Sequence, residues 1–319
     1  MPLTIDPEFY RAAEPLVPVL SSAPKLPVGD VENRRARMAA LFANLPPNPA
    51  VEGVTIEKYK FASHDGQRIG IYRFSPTNSK SGPGPTILHM HGGGMISGHV
   101  ELSKDSLAKQ VAQTGIQVFS VDYRLAPENP HPVPVEDCYA ALLWIQQHRE
   151  EFEVDLARIA VQGESAGGGL AAGVSLIARD RKLDPPLAKQ ILVYPMLDDR
   201  NRKSIPKDLD VYVMWKSVDN ETGWRALLGD AYQTESVSSY AAPARADSVD
   251  GLPSTYMDVG SLDIFCDECT MFVARLAAKN VDTEFHVYSG VGHVFEFLAP
   301  NIAITQRAVE NRLNAIRRL

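Results

Sequence analysis

The chain has 319 residues, 45% hydrophobic and 22% charged, enough apolar material for a sizeable core and too much for a mainly disordered chain. Its net charge of −7, with acidic and basic residues interspersed and no long basic run, disfavours nucleic acid as a partner. The longest apolar stretches, such as residues 170–177, stop well short of the roughly 20 residues a membrane helix needs.

The start, Met1-Pro2-Leu3, soon meets Asp6 and Glu8 and lacks the basic and apolar parts of a secretory signal, so a cytoplasmic location is expected. The first 50 residues are rich in Pro, Ala and Arg and carry one helical pattern, 31–42, between Pro-rich stretches. From Val54 onward β-type runs follow at 55–61, 68–74, 86–91, 117–122, 158–162, 190–194, 255–259 and 284–288. Helical patterns lie at 103–113, 135–148, 166–179, 268–279 and 302–318. This alternation predicts an α/β fold with a mostly parallel sheet and helices on both faces. The first two runs, joined by His64-Asp65-Gly66, read as an antiparallel hairpin at one edge. Residues 201–246 contain no β run but do contain Tyr212, Trp215 and Trp224, and the sheet pattern resumes after them. They are expected to form an inserted helical segment that joins residues 1–50 as a small cap over a core made of 51–200 and 247–319. Three cysteines make no disulfide framework. Cys266 and Cys269 are expected as neighbours on a helix rather than as metal or redox ligands, for which further partners are missing.

The strongest chemical signal is Gly163-Glu164-Ser165-Ala166-Gly167, a G-x-S-x-G set between an apolar run and a small-residue helix pattern. That strand-turn-helix context presents a serine hydroxyl at a sharp, strained turn; a Gly-rich packing turn is the plainer alternative for the pentapeptide alone. Upstream, His89-Met90-His91-Gly92-Gly93-Gly94 follows a β run, and it offers backbone N–H groups at Gly93 and Gly94 which, with Ala166, suit a developing oxyanion. No phosphate-loop pattern is present, and His89 and His91 are expected to orient the loop by hydrogen bonding rather than to bind metal. An acid and a histidine should follow the serine in chain order. Asp263 stands just past one strand and His293 in the Gly-rich loop after the last, with Asp258 and Asp267 as alternative acids. Together these predict nucleophilic attack by Ser165, proton transfer by His293 and orientation of the imidazole by Asp263.

Several motifs in one order resemble the hormone-sensitive-lipase-like family of α/β-hydrolase carboxylesterases. They are His91-Gly92-Gly93-Gly94, Asp122-Tyr123-Arg124-Leu125-Ala126-Pro127-Glu128, the Ser165 turn, Tyr194-Pro195-Met196-Leu197-Asp198-Asp199-Arg200, Tyr240 to Ala246, Asp263 to Glu268, and Gly292-His293. The resemblance covers residue 85 to the end. It implies an eight-stranded core with a cap, no cofactor, no metal, small ester substrates with short acyl chains, and a homodimer. It also implies that Asp122, Arg124 and Glu128 form a charged structural network. The sequence departs from the family pattern at Met95, where a bulky aromatic is common, at Glu164, where Asp is usual, and at Cys269, where glycine is frequent. Met95, Glu164, Met214 and Trp215 are the candidates for lining a substrate pocket. Lactones, carbamates and aryl amides suit the same groups. A non-catalytic receptor of this fold, resembling the plant gibberellin receptor, would lack the histidine present here as His293.

Overall fold

The computed structural model describes residues 3–22, 24–43, 51–78 and 82–319. The eight strands are β1 (Val54–Ala62), β2 (Arg68–Pro76), β3 (Gly84–Met90), β4 (Gln117–Asp122), β5 (Val154–Glu164), β6 (Lys189–Val193), β7 (Ser254–Gly260) and β8 (Thr283–Tyr288). They form one sheet in the order β1-β2-β4-β3-β5-β6-β7-β8. β1 and β2 are antiparallel, closed by a turn in which Gly66 (φ 82°) donates to Ser63 O at 2.9 Å. β2 also runs antiparallel to β4, and every later pairing is parallel. The mostly parallel sheet expected from the pattern is therefore present, with the eight strands that the resemblance implies.

Among the described residues ten α-helices accompany the strands: α1 (Pro7–Ala13), α2 (Val17–Ser22), α3 (Val31–Ala43), α4 (Val100–Thr114), α5 (Val133–Gln147), α6 (Ala166–Asp180), α7 (Ser217–Leu228), α8 (Cys266–Ala278), α9 (Phe295–Leu298) and α10 (Ala303–Arg317). Strand side chains alternate between the two faces, which splits the core. Ile87, Val118, Ala160, Ile191 and Tyr256 pack with Leu107 and Val111 of α4 and Ile316 of α10. Their neighbours Leu88, Phe119, Val161, Leu192 and Met257 turn the other way and pack with Leu142 of α5, Leu170 of α6 and Phe272 of α8. Parallel strands covered on both faces bring their C-terminal ends, and the loops that follow, to one edge of the sheet.

The segment before β1 is bound to that edge. α1 starts on an Asp6 cap that accepts from Glu8 N and Phe9 N, and its buried Phe9 joins Tyr212, Tyr288 and Phe295. α3 contacts α7, the helix of the stretch between β6 and β7. Across that contact Arg34 Nε meets Asp219 Oδ1 at 2.8 Å with both side chains buried, and Gly29 N donates to Thr222 Oγ1 at 3.1 Å. Removing Asp219 is expected to cost about 3–5 kcal/mol, because the buried Arg34 guanidinium is then left without a counterion. The Pro-rich end of the first segment, residues 44–50, lies outside the described residues. Among the described residues no helix is long and apolar enough to cross a membrane.

Candidate active site

β5 ends at Glu164 and α6 begins at Ala166, so Ser165 alone carries the reversal from strand to helix. Its φ of 56° and ψ of −119° are strained for a residue with a side chain, a cost of about 1–3 kcal/mol that the surrounding packing must hold. The flanking glycines allow that packing. A Cβ on Gly163 would stand 2.2 Å from Gly167 O, and one on Gly167 would stand 2.0 Å from Met90 O. The hydroxyl thus stands at the N-terminus of α6, where unpaired N–H groups and the helix dipole favour negative charge.

Asp263 follows β7 and His293 follows β8, so the topology delivers both to the same edge as Ser165. His293 Nε2 lies 2.8 Å from Ser165 Oγ, and His293 Nδ1 lies 2.6 Å from Asp263 Oδ2. Asp263 Oδ1 accepts from Phe265 N at 2.9 Å, which fixes the carboxylate plane. A carboxylate accepts only, so the imidazole proton sits on Nδ1 and Nε2 is free to accept from the serine hydroxyl. Tyr194 and Phe265 set their rings edge-on to the imidazole, with centroids 4.7 and 5.1 Å away. Ser165, Asp263 and His293 are all buried.

The glycine loop after β3 is fixed one peptide at a time. A trans peptide is rigid and planar, so a hydrogen bond to its carbonyl also sets the direction of its N–H. Gly92 O accepts from His91 Nδ1 at 2.8 Å, which orients the Gly93 N–H. Gly93 O accepts from Ile96 N, Ser97 N and Ser97 Oγ at 3.2, 3.0 and 2.8 Å, which orients the Gly94 N–H. Ser165 O accepts from Met196 N at 2.9 Å and Gly169 N at 3.1 Å, which orients the Ala166 N–H. None of the three oriented N–H groups has an acceptor among the described residues. His91 is itself immobilised, stacked on Tyr123 with centroids 4.2 Å apart, and burial lowers its pKa to about 4, so its ring is neutral.

The model of the alpha/beta hydrolase fold family matches residues 87–297, a span that includes Ser165, Asp263 and His293. Similar curated proteins are Esterase LipI of Mycobacterium tuberculosis, 31% identical over 95% of this chain and 93% of its own, and Carboxylesterase NlhH of the same organism, 32% identical over 73% of each. The solved structure of a bacterial heroin esterase superposes with a TM-score of 0.88 over 99% of this chain and 98% of its own, at 37% identity. This chain belongs to the α/β-hydrolases, in the hormone-sensitive-lipase-like carboxylesterase family.

In this hydrolase the two alternative acids stand apart from His293. Asp258 is buried against Arg312, accepting from its Nε at 2.6 Å and Nη2 at 3.1 Å, and Tyr256 OH donates to it at 3.0 Å. Asp267 pairs with Lys203 at 2.6 Å. The four pocket candidates separate. Trp215 lies directly over the glycine loop, since a Cβ on Gly94 would stand 2.1 Å from its Cη2. Met95, at φ 65°, is buried in the core cluster with Leu170, Met196 and Trp224. Met214 packs against the Phe9 and Tyr212 cluster. The Glu164 carboxylate is taken by His89 Nε2 at 2.8 Å, and His89 Nδ1 meets Ser120 Oγ at 2.8 Å, so His89 braces the strands beneath Ser165 while His91 alone orients the loop. Burial pushes the Glu164 carboxyl up, but His89 and Arg312 outweigh it and hold the group below its ordinary value. A surface depression of about 470 Å³ beside Pro127, His131 and Leu227 touches none of these groups, so geometry and not cavity size locates the site.

The charged motif after β4 does not form one network. Arg124 pairs with Asp137 and Asp65, each at 2.7 Å. Asp122 Oδ1 faces Val100 N at 3.4 Å, and Glu128 reaches Arg35 of α3 at 2.7 Å. Asp122 ends β4 while Arg124 and Glu128 lie in the irregular stretch after it, and the three side chains find separate partners. Tyr194 and Phe265 escaped the sequence reading of the site. Val193 pairs with Glu164, so the next residue stands beside Ser165, a register that the sequence alone does not give. Cys266 and Cys269 fall in the first turn of α8, and burial pushes both thiols above their ordinary range.

Proposed function

We propose that this carboxylic-ester hydrolase works through an acyl-enzyme on Ser165. The observation that carries the reading is the buried chain from Asp263 Oδ2 through His293 to Ser165 Oγ, with links of 2.6 and 2.8 Å. His293 Nε2 takes the hydroxyl proton as Ser165 Oγ attacks the ester carbonyl, and Asp263 stabilises the imidazolium that forms. The carbonyl oxygen, now an anion, is received by the N–H groups of Gly93, Gly94 and Ala166, each donor contributing roughly 3 kcal/mol to the transition state. Collapse expels the alcohol, which His293 protonates; water then repeats the sequence on the acyl-enzyme and releases the carboxylic acid. Every group in this cycle belongs to the chain, so no cofactor is called for.

The reading extends to the surroundings of Ser165. The described part of residues 1–50 joins 201–246 as a cap, supported by the Arg34–Asp219 pair and the contact between α3 and α7. Trp215 of that cap, which lies over Gly94 of the glycine loop, borders the substrate; Met95, Glu164 and Met214 are committed to packing and to His89. The substrate class is small-molecule esters with short acyl chains. A cytoplasmic location accompanies the proposal, as does a homodimer, which is a family expectation.

Hydrolysis of p-nitrophenyl esters from acetate to palmitate tests it. Turnover is expected to be highest for acetate or butyrate and to fall steeply beyond about eight carbons; a chain that cleaves none of the series, while folded, overturns the proposal. Gly93→Ala tests the anion site separately. Gly93 sits at φ 125°, and a Cβ there would meet Ser97 O at 2.0 Å, so the loop must open to admit it. The expected result is a kcat lowered at least about 100-fold, with a smaller change in KM.

A further inference from the structure

The turn that follows the glycines is held from outside the hydrolase core. Arg35 of α3, 61 positions before Ile96, donates from Nε to Ile96 O at 2.6 Å and from Nη2 to Ala126 O at 2.9 Å. Its Nη1 and Nη2 also reach the two Glu128 carboxylate oxygens, each at 2.7 Å. Ala126 N donates in turn to Met95 O at 2.9 Å, so the guanidinium closes a ring of hydrogen bonds around residues 95, 96 and 126.

Two rigid peptide planes connect that ring to the anion site. The Ile96 carbonyl, gripped by Arg35, shares its plane with the Ser97 N–H. That N–H donates to Gly93 O, and the Gly93 carbonyl shares its plane with the Gly94 N–H. A displacement of Arg35 is therefore passed to the Gly94 donor through two hydrogen bonds and no rotatable side chain. Docking of α3 does not need Arg35, because the neighbouring Arg34 already ties that helix to Asp219 at 2.8 Å. The planar fork matters: one guanidinium serves two carbonyls and a carboxylate at once, which a lysine ammonium cannot do with the same geometry. Arg35 also holds the Glu128 carboxyl down to about 2, so the grip stays charged through any pH at which an esterase is assayed.

We propose that Arg35 is a positioning residue for the oxyanion loop, making the activity of the core depend on the segment that precedes it. The proposal rests on the acyl-enzyme reading above. It is tested in the full chain with Arg35→Met, Arg35→Lys and Glu128→Gln. The readouts are kcat and KM on p-nitrophenyl acetate, inhibition by a trifluoromethyl ketone that forms a tetrahedral oxyanion on the serine, and thermal melting. Arg35→Met is expected to lower kcat about 10- to 100-fold with KM changed less than about threefold. Ketone affinity should weaken in parallel with kcat/KM, and Arg35→Lys should recover part of both. Glu128→Gln, which leaves both carbonyl contacts in place, should cost less than Arg35→Met.

An Arg35→Met protein that melts lower but keeps kcat and ketone affinity is bound by Arg35 only structurally, and the proposal fails. It fails equally if kcat drops while ketone affinity stays, since the loss then lies elsewhere than in the anion site. If Arg35→Met does not fold, Arg35→Lys decides: wild-type kcat and ketone affinity in that variant overturn the idea. A wild type that hydrolyses no ester overturns the acyl-enzyme reading itself, a result distinct from an active wild type matched by its Arg35 variants.

Discussion

Ser165→Ala is expected to lower kcat on short esters by about 10⁴- to 10⁶-fold while leaving KM and the melting temperature close to wild type. Among the described residues the hydroxyl has one polar partner, His293 Nε2 at 2.8 Å, and is buried with it, so its loss removes the proposed nucleophile and leaves one ring nitrogen unpaired. The strain at φ 56° is a property of the backbone and is the same for Ala as for Ser, so the turn gains no reason to relax. The anion site remains, which is why some catalysis over water should persist. The measurement is steady-state kinetics on p-nitrophenyl acetate beside labelling with a serine-reactive phosphonate, followed by mass spectrometry. Wild type should label once, at Ser165, and the variant should not label. A variant that keeps more than about 1% of wild-type kcat would mean that another nucleophile does the work.

The residues of this chain differ in how far the sequence could announce them. Ser165, Asp263 and His293 were legible because each stands just past a strand, and parallel pairing of β5, β7 and β8 in one sheet puts those ends together without any knowledge of packing. The strands were legible for the same reason: a run such as 190–194, buried on both faces, leaves no alternative use for its apolar side chains, and β6 spans Lys189–Val193. α1 was not read, although Asp6 and Pro7 form a recognisable start. Seven residues are too few to show a helical period, and what holds the helix is Phe9 packed among Tyr212, Tyr288 and Phe295, residues about 200 to 290 positions away. Arg35 and Trp215 belong to the same class. Arg35 meets Ile96 and Glu128 across 61 and 93 positions, and Trp215 meets Gly94 only because α7 is laid over the loop. Glu164 was placed beside Ser165 correctly in sequence, but its side chain is directed beneath the site to His89. Local patterns thus reveal what a strand end must present, and contacts between distant segments decide what then closes around it.

The acid carries the second large effect. Asp263→Asn is expected to lower kcat about 10⁴-fold with KM little changed, although the two side chains have the same shape. The reason lies in the second oxygen. Phe265 N needs an acceptor, and Asp263 Oδ1 supplies it at 2.9 Å, so the asparagine oxygen will take that position and turn its NH₂ toward His293. That amide donates where the carboxylate accepted. Nδ1, 2.6 Å away, must then give up its proton, and the ring carries it on Nε2 instead, facing Ser165 Oγ as a donor. A histidine in that tautomer cannot take the hydroxyl proton, and no carboxylate remains to stabilise the imidazolium if it did. Phosphonate labelling should slow by a similar factor, because it uses the same proton transfer. Asp258→Asn is the contrast. Asp258 is bound to Arg312, whose guanidinium keeps Glu296 at 2.6 Å when Asp258 is replaced, so the substitution should lower the melting temperature by an amount corresponding to about 1–3 kcal/mol while leaving kcat per labelled site far closer to wild type. If Asp258→Asn silences the chemistry and Asp263→Asn does not, the acid has been assigned to the wrong aspartate.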